Sequence, residues 1–209
     1  MNLLVETGDP AAYLDASGTI DFHHPAVHAL LEKLRAQGSS EEERARLAFL
    51  FARDEILHSF DLPGPRAVTI SASETLMARE GICFAKSHLF AALLRGLGIP
   101  AGFSYQRVMR KGTPESGYAL HGLNAIYLSS RQQWLRFDPR GNKPGVRSEF
   151  SLDEERLAYP IRPELGEIDY PHVLVEPDPK VLAAMRASGD SAELFERRPS
   201  ELAARPPRP

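Results

Sequence analysis

The sequence predicts an α+β fold, and three observations predict it. Helical apolar spacing dominates the chain as far as Leu97, β-rich runs separated by turn residues follow between Ala101 and Asp138, and proline punctuates what lies beyond Phe150. Helices first and strands afterwards, with short connections between the strands, argue for an antiparallel meander rather than alternating βαβ units.

Val27, Leu30, Leu31 and Leu34 recur at helical spacing and predict a helix over Pro25–Ala36. Gly38, Ser39 and Ser40 break that pattern, and Ser39-x-x-Glu42 and Ser40-x-x-Glu43 are both capping-box candidates. They open a second helix, expected to run to about Phe60, whose acidic first turn suits the positive end of the helix dipole. Pro63, Gly64 and Pro65 then stop it. A short third helix is expected over Ser73–Arg79. A fourth starts around Cys83 and continues through Leu94, halted by Gly96, Gly98 and Pro100. Residues 101–109, 120–128 and 132–138 read as strands. Ser151–Tyr159 and Asp178–Ala187 are expected helices, on either side of an extended stretch holding prolines 160, 163, 171 and 177. The expected organisation is a domain over 1–150 that includes the N-terminal helices, an extension packing on it over 151–198, and a disordered tail over 199–209.

At 209 residues, 43% hydrophobic and 25% charged, the composition is that of a globular protein. A net charge of -3 argues against nucleic acid as the main ligand. The N-terminus lacks the basic start and long apolar run of a signal peptide, and no segment approaches a membrane span, so a cytoplasmic location without membrane contact is expected. The single cysteine excludes an intramolecular disulfide and becomes the first residue to question.

Cys83 follows Gly81 and Ile82 at the onset of an apolar helix. Unpaired N–H groups there favour a thiolate and are placed to stabilise an oxyanion. Against this, free cysteine is among the most buried residue types, and core packing alone explains many such thiols. His121 opens one strand and Asp138 closes the next. In an antiparallel pair those two positions lie at the same edge, where the carboxylate can orient the imidazole and the imidazole can serve the thiol. Taken singly, His121 reads as a strand histidine and Asp138, before Pro139, as a turn residue. Their joint placement is what shifts the balance.

Cysteine before an apolar helix ending in LLRGLGIPA, then HGLNAIYL, then WLRFDP, resembles the core of the transglutaminase-like superfamily over about Arg53–Asn142. The resemblance implies a papain-like core with the nucleophile helix packed on an antiparallel sheet. It also implies Cys83 as nucleophile, His121 as general base and acid, and Asp138 as the orienting carboxylate. Two positions depart from the family pattern. Ile82 stands where an aromatic residue commonly precedes the cysteine, and Leu123 where tryptophan commonly follows the histidine. Ile82, Leu123, Asn124 and Trp134 are therefore the substrate-groove candidates.

The activity implied is cysteine-dependent amide hydrolysis or acyl transfer of peptidase, deamidase or transglutaminase type, acting on a peptide or protein amide and needing no cofactor. Hydrolysis and transamidation use the same residues and stay open. Two alternatives are a catalytically degenerate peptide-binding module and acyl transfer of the arylamine N-acetyltransferase kind. His24 and His28 stand four apart, but no HExxH or CxxC pattern joins them, so no metal is expected. Lys86 reads as a solvent-facing helix lysine.

Overall fold

The computed structural model describes residues 1–204. The elements follow in the order β1 (Leu4–Val5), α1 (Pro25–Gln37), α2 (Glu41–Leu50), β2 (Leu57–His58), α3 (Ala72–Ala78), β3 (Glu80–Gly81) and α4 (Cys83–Gly96). Then come β4 (Ala101–Met109), β5 (Tyr118–Leu128), β6 (Gln133–Phe137), β7 (Ile168–Asp169), β8 (His172–Val173), α5 (Pro179–Arg186) and α6 (Ser191–Arg197). The main sheet is antiparallel in the order β6-β5-β4-β7, so the expected meander is present and gains a short strand on its far edge.

α4 is the axis of the molecule. Every residue from Cys83 to Gly96 is buried, because α1, α2 and α3 cover one side and β4 and β5 the other. A helix enclosed in this way is apolar around most of its circumference. Leu89, Phe90, Leu93 and Leu94 are wholly buried, and each such side chain contributes about 1.5–3 kcal/mol. The opposite face of the sheet is covered too: Ala125 packs there with Tyr13 and Val173. With both faces buried, β5 has no reason to alternate apolar with polar residues.

The chain departs from its sequence expectations in four places. The second helix stops at Leu50 instead of near Phe60: a wide turn over Phe51–Glu55 unwinds it, and Lys86 Nζ donates to the released carbonyls of Arg53 (3.1 Å) and Ile56. The third helix begins at Ala72, one residue earlier than expected, because Ser71 is its cap, in a complete capping box with Glu74. Residues 151–159 form no helix. Their backbone is spent on distant partners, with Ala158 N donating to Asp138 and Arg156 O accepting from Glu149 N. Finally, the tail expected to be disordered from 199 is held through 203. Pro199 O accepts from Leu120 N at 2.7 Å, and Ala203 N donates to Asp178 at 2.9 Å. The remainder of that expectation, 205–209, lies outside the described residues.

The extension beyond 150 shares the main core: Val181, Met185 and Leu194 belong to the same buried cluster as α4. Among the described residues, no helix is long and apolar enough to cross a membrane.

Candidate active site

β5 is much longer than β6, and the two pair only from Asn124 to Leu128. The edge of β5 from Tyr118 to Leu123 is therefore left open, and the site is built along it. Alternate N–H groups point outward from such an edge. Leu120 N is taken by Pro199 O, and Gly122 N faces the thiol of Cys83. His121 lies between these two residues.

Cys83 is the first residue of α4, whose N-cap, Ile82, makes no side-chain capping bond. The first-turn amides of α4 thus receive no help from the cap. Asp138 follows the last residue of β6, at the end of the ladder from which the His121 segment of β5 emerges. His121 Nε2 and Asp138 Oδ2 are 2.7 Å apart. Asp138 also accepts from Arg140 N and Ala158 N, each at 3.0 Å, so its carboxylate cannot swing away. His121 sits edge-on to Tyr159 at 4.8 Å between ring centres. Cys83 and His121 are each 3% exposed and Asp138 is fully buried.

The electrostatics of the three groups agree. Burial opposes ionisation of Asp138, but the charge and hydrogen bond of His121, with the two backbone donors, win and hold it below the usual carboxylate range. Burial likewise opposes the imidazolium, yet Asp138 and Cys83 together raise His121 well above its ordinary value. For Cys83, burial pushes the thiol up. His121, by charge and hydrogen bond, then the Gly122 N–H and the charge of Arg198 outweigh it and bring the thiol down. The arrangement favours a thiolate beside an imidazolium.

A cleft of about 520 Å³ opens on Cys83 and His121. Among the described residues its wall includes His58, Arg140, Tyr159 and Arg198, none of which the sequence had assigned to the site. Of the groove candidates, none lines it. Ile82 is the buried cap of α4, and Leu123 is core. Asn124 is a structural tie, donating to Ser87 O (3.1 Å) and Gly102 O (3.2 Å). Trp134 packs on Tyr13 and Tyr127, with Tyr13 belonging to the cluster on the far face of the sheet. Lys86 is wholly buried rather than solvent-facing. Among the described residues, no group of three His, Cys, Asp or Glu side chains is arranged to hold a metal ion.

A sequence model of the transglutaminase-like superfamily matches residues 28–139. The chain belongs to that superfamily. Members of the transglutaminase-like superfamily are generally enzymes, and the fold agrees with the assignment. A candidate cysteine protease from Cytophaga hutchinsonii is similar at 20% identity and a TM-score of 0.52, over 64% of this chain and 43% of that one. The periplasmic domain of TgpA from Pseudomonas aeruginosa is similar at 22% identity and a TM-score of 0.45, over 63% of this chain and 47% of that one. Its ethylmercury-bound form gives 22% identity and a TM-score of 0.44, over 63% and 49%. At such identities the likeness speaks to the fold alone, and this chain spans less than half the length of each. A comparison with curated proteins gives no match.

Proposed function

We propose that this transglutaminase-like chain is a cysteine-dependent amide hydrolase or acyltransferase, with Cys83, His121 and Asp138 as its catalytic triad and a peptide or protein amide as substrate. The observation that carries this reading is the buried 2.7 Å bond between His121 and Asp138 beside the thiol of Cys83.

The Cys83 thiolate attacks the amide carbonyl, forming an S–C bond and an oxyanion at the amino end of α4, where backbone N–H groups favour negative charge. His121, as imidazolium, gives its proton to the amide nitrogen. The C–N bond breaks, the amine departs, and a thioester stays on Cys83. Neutral His121 then takes a proton from an incoming water, whose oxygen attacks the thioester. Collapse releases the carboxylic product and returns the thiolate and imidazolium. An amine in place of that water gives transamidation by the same steps. Asp138 keeps the imidazole in one orientation and stabilises its charged form throughout. No cofactor enters these steps.

The test is the rate of Cys83 alkylation by iodoacetamide against pH, in the wild type and in His121→Ala. The expected wild-type midpoint lies below the ordinary thiol value, and the substitution moves it upward and slows reaction at neutral pH. Slow alkylation that ignores the substitution would remove the nucleophile from this scheme.

A further inference from the structure

The protein carries a net charge of -3, yet its cleft has the opposite sign. Among the described residues, Arg110, Arg140, Lys143, Arg162 and Arg198 line it against two carboxylates, Asp61 and Glu167. Both carboxylates are already engaged. Asp61 takes Arg140 at 2.5 and 2.9 Å and Lys143 at 2.5 Å, and Glu167 takes Arg162 together with Met109 N. Arg110 is spent on backbone carbonyls, those of Tyr118, Phe195 and Arg198.

Arg198 differs from the other four. Its guanidinium lies over the rings of Phe195 and Phe60, 4.3 and 5.0 Å from their centres. The one hydrogen bond that this guanidinium makes among the described residues is a long one from Nε to Phe195 O, 3.3 Å. Its Nη2 is buried without a partner among the described residues. It stands close enough to Cys83 for the two charges to act on each other. Arg198 is partly buried, and its unspent Nη2 donor costs stability until an acceptor reaches it; a planar guanidinium suits a carboxylate.

We propose that Arg198 anchors a carboxylate of the substrate beside the amide that Cys83 attacks, so that the cleft selects acidic peptides. This rests on the proposed thiol chemistry and adds to it the class of substrate. The carboxylate comes either from an acidic side chain or from a free C-terminus.

The experiment compares alkylation of Cys83 by iodoacetate, an anion, with alkylation by neutral iodoacetamide, each rate divided by that of free glutathione. The wild type is expected to prefer iodoacetate by roughly tenfold, as a focused positive field does for small anions. Arg198→Gln is expected to lose most of that preference, and Arg198→Lys to keep part of it, with the melting temperature confirming that both variants fold. A wild-type ratio no higher than that of glutathione, or a ratio that Arg198→Gln leaves unchanged while iodoacetamide still reacts quickly, overturns the anchor alone. A thiol inert to both reagents overturns the proposed function and this inference with it. Protection of Cys83 by short glutamine peptides then separates the two sources. Protection by an amidated peptide carrying glutamate points to a side chain, and by a neutral peptide with a free C-terminus to the terminal carboxylate. Equal protection by an amidated neutral peptide overturns the anchor.

Discussion

Gly122 lies against the ring of Phe84, so close that a Cβ at 122 would stand 2.7 Å from Phe84 Cδ1. Phe84 is wholly buried in the first turn of the helix that begins with Cys83, and cannot retreat without disturbing the core. Gly122→Ala is therefore expected to cost about 1–3 kcal/mol, the usual range for overpacking. It also pushes the Gly122 N–H away from the thiol. A lower urea midpoint together with slower Cys83 alkylation at neutral pH is the expected pair of results. A variant as stable and as reactive as the wild type would mean that the two segments yield freely.

Asp138→Asn tests the carboxylate without changing its shape. Asp138 is held low, so its stabilising effect is present above the unfolded carboxylate value and lost as pH falls through the folded one. His121 is held high, so its effect is complete below the unfolded imidazole value and lost as pH rises through the folded one. The pair thus contributes in full between about pH 4 and about pH 6.5. The stability gap between wild type and variant should be widest there, on the order of 3 kcal/mol. Denaturation measured across the pH range would show a flat gap if the two groups were not coupled.

How much of this was legible in the sequence differs between the proposed triad and the walls around it. Cys83, His121 and Asp138 were readable because helix onset and strand pairing are local, periodic signals, and register then brings the two strand residues to one edge. His58 comes from a two-residue strand, Tyr159 from an irregular stretch and Arg198 from a helix end. Long-range bonds such as Ala158 N to Asp138 and Leu120 N to Pro199 O hold these segments, and neither bond leaves a periodic trace. Trp134 was misassigned for a related reason. Alternation along β6 shows that it leaves the core face, but not that Tyr13 waits on the other. Lys86 looked like the wet side of a helix, yet it is buried together with Ser87 and His88 because α4 has no wet side.

Lys86 gives the third prediction. Burial first, and Arg140 nearby, lower its ammonium to about 7 from an ordinary 10.5. Between those values the unfolded chain binds the additional proton, so stability should climb as pH rises from about 7 to about 10. Lys86→Met removes that climb, worth up to about 4 kcal/mol, while leaving the carbonyls of Arg53 and Ile56 without their donor. The variant is thus expected to show a flatter stability profile over that interval. Urea titrations at both ends check it: an unchanged slope would assign the climb to other groups.

The bond between Pro199 O and Leu120 N reaches across 79 positions of the sequence to close part of the open edge of β5. During synthesis the three groups of the proposed triad leave the ribosome in the order Cys83, His121, Asp138, and Arg198 follows some sixty residues later. A nascent chain therefore carries its proposed nucleophile well before it carries the wall that shapes the cleft. Synthesis as far as Arg198 is therefore the step that supplies the last of the described wall.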